Sequence, residues 1–304
     1  MRILILGAAA GGGFPQWNAN NENCRRARDG DSSVPAQTQS SIAVSMDGAT
    51  WCLCNASPDL RQQIEANRQL QPRQDSPVRA SPIGAVVLTN ADIDHIAGLL
   101  NLRENQAFSL HATARVLDTL GANSVFNVLN PAFVGRLEIK LDTPFSPLPG
   151  ITITAFAVPG KVALYLEDVS RTDFGTMSGD TVGLEILDTA SGQKFFYIPG
   201  CAALTPQLGA RLHAAPLVIF DGTLYTDDEM IVAGEGVKTG QRMGHMSMSG
   251  SQGSIKAFEG LGVQRRMFIH LNNTNPVLNR HSPERAAVLA SGWEVAMDGL
   301  EISL

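Results

Sequence analysis

A buried-strand pattern that passes directly into a cluster of ionisable residues is the feature that most restricts what this chain can fold into. The apolar run IGAVVL at 83–88 is followed by TNADIDHIAGL, in which Asp92, Asp94 and His95 lie within four residues. A short apolar run bounded by turn residues predicts a buried strand, and the residues after His95 predict a helix. Carboxylates and an imidazole in one turn suit a divalent ion such as Zn, Fe or Mn. The alternative is a helix N-terminus that uses the acidic residues as caps, with His95 incidental.

Two later strand patterns also end in ionisable side chains. LVIF precedes Asp221, and MFI precedes His270, which is followed by Asn272, Asn273 and Asn275. Alone, a histidine at a strand end is more often a satisfied core residue than a ligand. Three strand ends that each deliver Asp or His favour one common site. At such a site the asparagines are expected to bind a polar substrate or to orient the histidine.

The order of strand and helix patterns predicts two packed sheets with helices outside, because a doubly wound parallel sheet would alternate strands and helices more strictly. Turn dipeptides at 47–48 and 191–192 predict hairpins, and Ser-Pro pairs at 57–58 and 282–283 predict helix starts. Strands are predicted over 2–6, 40–46, 50–55, 83–88, 151–157, 182–187, 194–198, 216–220, 266–270 and 293–297, and helices over 58–70, 95–103, 112–121, 205–214, 248–261 and 283–291.

Composition places the chain among soluble globular proteins. Of its 304 residues, 44% are hydrophobic and 17% are charged, and the net charge is −6. This acidic balance argues against a nucleic-acid partner, and no apolar run reaches the ~20 residues of a membrane span. Four cysteines in a chain of this length do not make a disulfide framework. We therefore expect a reduced, cytoplasmic protein with a single domain over 1–304.

These elements, in this order, resemble the metallo-β-lactamase superfamily. The superfamily signature THxHxDH matches TNADIDH, so Asn90 and Asp92 stand where the first two histidines should be. Asp94 and His95 keep their places, and His270 matches the last histidine of the superfamily.

Two further superfamily ligands are replaced. In FFYIPGCAAL the position of the bridging aspartate is taken by Gly200, and in AVPGKVALY the position of the third histidine is taken by Gly160 and Lys161. A dinuclear hydrolase holds its metals ~3.5–4 Å apart, which needs these ligands. A dinuclear site is therefore not expected.

Longer blocks resemble one family within the superfamily, coenzyme PQQ synthesis protein B. The blocks AAGGGFPQWN, TQSSIAVS, NASPDLRQQI, SGDTVG, GHMSMSG and HLNNTNP extend over nearly the whole chain. The resemblance implies an α/β fold, a metallo-β-lactamase-like αββα four-layer sandwich of two mixed sheets flanked by helices. It also implies a role in the biosynthesis of pyrroloquinoline quinone (PQQ). Two roles are associated with the family: an iron-dependent hydroxylase of a Glu-Tyr precursor, and a carrier that moves PQQ or its precursor towards the periplasm. A metal-dependent hydrolase is a weaker alternative.

One motif of that family is incomplete here. The family often carries CxCxxC after QWN, which with a later histidine holds a structural zinc. The three positions are Ala19, Asn21 and Cys24 in this chain. A closed zinc site needs four N or S ligands, so Cys24 and His245 are not expected to hold zinc. A homodimer is possible for this chain. If the structural zinc pairs subunits in relatives, its absence here would weaken the case for a dimer.

The predicted site is mononuclear, with Asp94, His95 and His270 as catalytic metal ligands. One divalent metal is expected, Fe(II) first, with Zn or Mn as alternatives. Two histidines and a carboxylate with open positions are the ligand set of mononuclear non-haem iron oxygenases, which favours oxidation over hydrolysis. The further metal candidates are Asp92 and Asp221, and the candidates for binding PQQ or a precursor are Asn90, Lys161, Asn272, Asn273 and Asn275.

Overall fold

The computed structural model describes residues 1–304. Its strands are β1 (Arg2–Gly7), β2 (Ser41–Ser45), β3 (Trp51–Cys54), β4 (Ile83–Val87), β5 (Phe108–Ala112), β6 (Val134–Glu138), β7 (Pro144–Leu148), β8 (Ile151–Ala157), β9 (Val182–Asp188), β10 (Lys194–Ile198), β11 (Leu217–Asp221), β12 (Arg265–Ile269), β13 (Trp293–Val295) and β14 (Glu301–Ser303). Its α-helices are α1 (Glu22–Arg28), α2 (Leu60–Ala66), α3 (Ile93–Ile96), α4 (Ala114–Ala122), α5 (Pro206–Leu212), α6 (Glu229–Val232), α7 (Gly240–Met243), α8 (Ser254–Ala257) and α9 (Pro283–Ala290). None of these helices is long and apolar enough to cross a membrane.

The strands form two seven-stranded sheets, in the orders β14-β1-β2-β3-β4-β5-β6 and β13-β12-β11-β10-β9-β8-β7. Both sheets are mixed. Strands β3 to β6 run parallel in the first sheet, and β10 to β13 run parallel in the second. The two predicted hairpins are confirmed as the antiparallel pairs β2–β3 and β9–β10. Because parallel neighbours end at the same edge of a sheet, β11 and β12 deliver their last residues side by side.

Successive residues of the strands face different layers. In β10, Phe195 and Tyr197 join a core shared by both sheets, whereas Phe196 and Ile198 face the helices on the other side. One outer core packs α2 and α4 against the first sheet. The other outer core packs α5 and α9 against the second sheet. Each large apolar side chain buried in these layers contributes roughly 1.5–3 kcal/mol. The predicted αββα four-layer sandwich is confirmed.

The strands that the sequence did not predict lack a continuous apolar run. Strands β6, β7 and β14 lie at sheet edges and are partly exposed, and two prolines interrupt β7. The interior strand β5 was missed because Ser109 and His111 break its apolar run. When strands are predicted from apolar periodicity alone, partly exposed edge strands are mistaken for loops.

The predicted helix over 248–261 is wrong for most of its length, because only α8 is helical there. Gly250 and Gly260 have φ values of +87° and +79°, which are left-handed conformations that end a regular helix. Helix α1 is not among the predicted helices, because its polar sequence has no apolar period.

The two Ser-Pro helix starts have different outcomes. The Ser282 side chain accepts a hydrogen bond from the Arg285 backbone N–H at 3.0 Å, which confirms it as the cap of α9. Helix α2 instead begins at Leu60, and the Ser57 hydroxyl donates to the Gln63 side chain at 3.1 Å. Ser57 is therefore not a cap.

Candidate metal centre

The three predicted catalytic ligands come together where the two sheets meet. The turn after β4 brings Asp94 against His270, which follows β12, and Asp94 Oδ2 lies 3.1 Å from His270 Nε2. His95 Nε2 lies 3.9 Å from the same carboxylate oxygen. One ligand atom from each of the three residues lies within 4.8 Å of the others. Both imidazoles are buried, and the Asp94 side chain is 15% exposed.

The orientation of His95 is set by Asn90. Asn90 Oδ1 accepts a hydrogen bond from the Asp92 backbone N–H at 3.0 Å and lies 2.7 Å from His95 Nδ1. A carbonyl oxygen only accepts hydrogen bonds, so His95 Nδ1 carries the proton. Nε2 then has a lone pair, and this buried atom has no hydrogen-bond partner. Buried polar atoms without partners are rare in folded proteins, and a metal ion would satisfy this one.

The orientation of His270 is set by Thr223. The Thr223 hydroxyl donates to Asp221 Oδ1 at 2.7 Å, and its oxygen lies 2.8 Å from His270 Nδ1. Since the single hydroxyl proton is used, Nδ1 must be the donor in the second contact. His270 Nε2 therefore faces Asp94 Oδ2 beside the lone pair of His95 Nε2; it either donates a proton to Asp94 or, once that proton is released, offers a lone pair to the same region. Three donor atoms this close together require a positive charge between them. Their types, two imidazole nitrogens and one carboxylate oxygen, fit one divalent metal.

The backbone at His270 has φ +65°. A non-glycine residue in this left-handed region costs roughly 1–3 kcal/mol, and such strain is concentrated at functional sites. The backbone leaves the direction of β12 at the residue whose side chain contacts both Thr223 and Asp94.

Electrostatics favour an anionic Asp94 and a neutral His95. Burial alone would raise the pKa of the Asp94 carboxyl, but the charges of His95 and His270 and the hydrogen bond from His270 hold it well below its usual range. Burial lowers the pKa of His95 to about 4, although the charge of Asp94 opposes this. Burial also acts to lower the pKa of His270, but the hydrogen bond and charge of Asp94 prevail and raise it. Anionic carboxylate and neutral imidazole are the forms that bind metals.

A second cluster shares His270 and is organised around the Thr223 hydroxyl. His245 Nδ1 lies 2.7 Å from Asp221 Oδ2 and 3.0 Å from Thr223 Oγ1. Asp221 Oδ2 also accepts the Cys201 backbone N–H at 2.9 Å. The fully buried Asp221 carboxylate is therefore used within a hydrogen-bond network. Asp221, predicted as a further metal candidate, lies with His245 and His270 in a second group of potential ligands, and its oxygens accept hydrogen bonds from His245 and Thr223.

His245 presents its other nitrogen beside the metal centre. Its ring stacks on that of His270, with centroids 5.2 Å apart and planes 20° apart. Both Nδ1 atoms contact the Thr223 hydroxyl, so both Nε2 atoms face away from it on the same side. The His245 side chain is 19% exposed, and an imidazole held in this way can accept or deliver a proton.

Cys24 and His245 are what this chain retains of the family's zinc motif, and they were not expected to hold zinc. Cys24 is a buried thiol of α1 and belongs to neither cluster of potential metal ligands. A Cβ at Gly200, where the superfamily has its bridging aspartate, would lie 3.5 Å from His245 Cε1. The pairing of His245 with Asp221 was not predictable from the sequence, because the loop between them has no periodic pattern that indicates which residues come together.

Two other predicted site residues are also placed differently. Asp92 belongs to neither cluster, and its Oδ1 accepts from the Leu164 backbone N–H at 3.4 Å. Its pKa is raised by burial and by the charge of Asp94. Asn90, predicted to bind substrate, orients His95 instead, because its carbonyl oxygen is already shared between two donors.

The asparagines after β12 hold loops together. Asn272 Nδ2 donates to the Thr274 hydroxyl at 2.6 Å, and Asn275 Nδ2 donates to the Gly222 carbonyl at 3.0 Å. Asn273 is also buried, with its amide hydrogen-bonded inside the protein. Buried amides need internal partners, so these hydrogen bonds support the loop that carries His270.

The chain is similar to known proteins in both sequence and fold. A family profile described as "Beta-lactamase superfamily domain" matches residues 50–271. Coenzyme PQQ synthesis protein B of Xanthomonas oryzae pv. oryzae (strain MAFF 311018) is 55% identical, with 100% of both chains covered. That of Rhizobium meliloti (strain 1021) is 53% identical and covers 100% of this chain and 98% of the relative. The crystal structure of Zn(2+)-bound PqqB from Methylobacterium extorquens matches with a TM-score of 0.96 at 52% identity, over 100% of both chains.

Proposed function

This chain belongs to the coenzyme PQQ synthesis protein B family of the β-lactamase superfamily, and from this premise we propose that it is a metal-dependent hydroxylase of a tyrosine-derived PQQ precursor. The names of the relatives support a role in PQQ biosynthesis. The observation that carries the reaction type is the convergence of His95 Nε2, His270 Nε2 and Asp94 Oδ2 within one small region.

The ligand set favours iron for the proposed reaction. Two imidazoles and one carboxylate with further positions open are the set used by non-haem Fe(II) oxygenases. The Methylobacterium extorquens relative was solved with zinc. The donor atoms of Asp94, His95 and His270 in this chain suit either zinc or iron. When bound, Fe(II) would supply activation of O₂ next to the substrate.

The residues of the chain itself hold the ligands and move a proton. Asn90 and Thr223 fix the imidazoles of His95 and His270 so that each presents Nε2. Asp221 fixes His245 by its Nδ1. We assign His245 Nε2 the task of taking the proton that the substrate ring or its hydroxyl group releases.

The test is reconstitution without oxygen. The protein is loaded with Fe(II) anaerobically, and the Glu-Tyr dipeptide, ascorbate as the two-electron reductant and then O₂ are added. One oxygen atom of O₂ enters the substrate and the other leaves as water, and mass spectrometry follows the product heavier by one oxygen atom. Product is expected from the wild type and not from His95→Ala or His270→Ala. The exposed His281, outside the site, supplies the matched control His281→Ala, which should keep full activity.

Two results would oppose the proposal. Equal product from the metal-free protein would remove the metal from the reaction. Tight binding of PQQ in equilibrium dialysis, unchanged in His95→Ala and His270→Ala and without any oxygenated product, would support a carrier instead.

A further inference from the structure

Three cationic side chains surround one buried carboxylate. Glu167, 4% exposed, lies 2.9 Å from Lys161 Nζ, 2.8 Å from Arg242 Nη2 and 3.9 Å from Lys238 Nζ. Hydrogen bonds from Arg242, and then from Lys161, outweigh burial and lower the pKa of Glu167 to about 2, so it is anionic. None of the three cations has another ion-pair partner. Within these ion pairs one negative charge faces three positive charges, and the Asp92 carboxyl is a further acidic neighbour of Lys161. We call Lys161, Lys238 and Arg242 the cationic cluster.

The cationic cluster borders the metal centre. A Cβ on Gly244, the residue before His245, would lie 3.0 Å from Lys161 Cγ. The segment that links Lys161 to Glu167 also contacts the turn after β4: the Tyr165 hydroxyl donates to the Ala91 carbonyl at 2.7 Å. The cationic cluster is thus tied to both histidine-bearing loops.

Each cation keeps a face open to solvent. The side chains of Lys161, Arg242 and Lys238 are 16%, 28% and 36% exposed. Arg242 is also held by a ring, since its Cζ lies 3.5 Å from the centroid of Phe174. A guanidinium fixed on one side is well prepared to bind a carboxylate on its free side, where it can use two parallel N–H groups.

Apolar side chains accompany the charges. Leu164, Tyr165 and Leu166 lie on the same segment as Lys161 and Glu167, and all three are exposed. Exposed apolar groups beside polar ones are typical of ligand-binding surfaces. Positive charge and apolar surface together suit an acid that also carries a ring.

We propose that the cationic cluster is the subsite that binds the carboxylates of the substrate beside the metal centre. The inference rests on the proposed function, since it assigns a ligand to the same centre. Glu167 holds the three cations in place and neutralises one of their charges. Substrate carboxylates neutralise the positive charge that remains.

Binding to the zinc-loaded protein tests the inference without turnover. The probes are the Glu-Tyr dipeptide and the same dipeptide with both carboxylates converted to amides, measured by isothermal titration calorimetry. Lys238→Gln removes one charge but leaves the hydrogen bonds of Glu167 in place. We expect it to weaken binding of the acid roughly two- to fivefold, as for one partly exposed charge pair. The double variant Lys161→Gln/Lys238→Gln should weaken it roughly tenfold or more, because a charged hydrogen bond is also lost.

The diamide and a matched control isolate the charge effect. The diamide should bind the wild type more weakly than the acid and should respond little to either variant. Arg171→Gln removes a cation from the same loop that pairs with Asp173 outside the cluster, and it should leave both affinities unchanged. Equal affinity of the wild type for acid and diamide, equal losses in Arg171→Gln and Lys238→Gln, or no binding of the acid to the wild type would each overturn the inference.

The two proposals fail in different experiments. Charge-dependent binding without an oxygenated product from the Fe(II) protein would leave the cationic cluster and refute the hydroxylase. Oxygenation of acid and diamide with equal efficiency would leave the hydroxylase and refute the cationic cluster.

Discussion

The Thr223 hydroxyl contacts three side chains, so replacing it with valine tests how the metal centre is oriented. Thr223→Val keeps the shape of the side chain and removes only the hydroxyl. Asp221 Oδ1 loses its 2.7 Å donor but keeps the Thr223 backbone N–H at 3.0 Å. His270 Nδ1 loses its 2.8 Å acceptor and is left buried without a partner.

The magnitude follows from these lost contacts. A buried donor left without an acceptor costs about 1–3 kcal/mol, so the free energy of unfolding of the metal-free protein should fall by that amount in urea. The His270 ring also loses the contact that fixes which nitrogen faces the metal. Removing groups that orient a ligand lowers metal affinity ~10–100-fold, and we expect a loss in this range for zinc, measured by competition with a chromophoric chelator.

A second threonine supplies the control. The Thr119 hydroxyl donates to the Arg115 carbonyl at 3.0 Å within α4, away from the centre. Thr119→Val should lower stability by about 1 kcal/mol or less and leave zinc affinity unchanged. If Thr223→Val binds zinc as tightly as the wild type while its stability falls, the assignment of the His270 tautomer is refuted.

Three further predictions concern other parts of the chain. Asn90→Ala removes the acceptor of His95 Nδ1 and should lower zinc affinity about tenfold or more in the same competition assay; an unchanged affinity would contradict the role of Asn90. Burial raises the pKa of Glu229 from its ordinary value of 4.5 to about 7, so the folded state holds a proton that the unfolded state has released. This contribution to stability is complete below about pH 4.5 and is lost as the pH rises through about 7. Urea unfolding from about pH 5 to about pH 8 should therefore show a decline of up to roughly 3 kcal/mol that Glu229→Gln lacks, and identical pH profiles would rule this out. Ser282→Ala removes the cap that accepts from the Arg285 N–H and should lower the free energy of unfolding by about 1 kcal/mol, whereas no measurable loss would show that the cap is dispensable.

The ligand residues were predictable because their signal is local. Asp94, His95 and His270 each follow a short apolar run, and such a run ends where a buried strand reaches the surface of its sheet. The cap at Ser282 and both hairpins were predictable for the same reason, since a few adjacent residues determine them.

The roles of the neighbouring polar residues were not predictable in this way. Asn90 and the asparagines after β12 have suitable groups for a substrate, but burial makes each of them a partner of another protein group. His245 was grouped with Cys24 by a motif, whereas its hydrogen bond to Asp221 depends on where a long loop packs.

The sequence by itself determined the αββα fold class, the family and the three candidate ligand residues, because strand periodicity and short motifs are set by neighbouring residues. Only the tertiary structure decided how those ligands are used. Asp94 and His270 meet across 176 positions of the chain, and Arg242 reaches Glu167 across 75 positions. Which nitrogen of an imidazole faces the metal centre, and which cations keep a free face, are properties of side chains brought together by two sheets, and no local pattern encodes them.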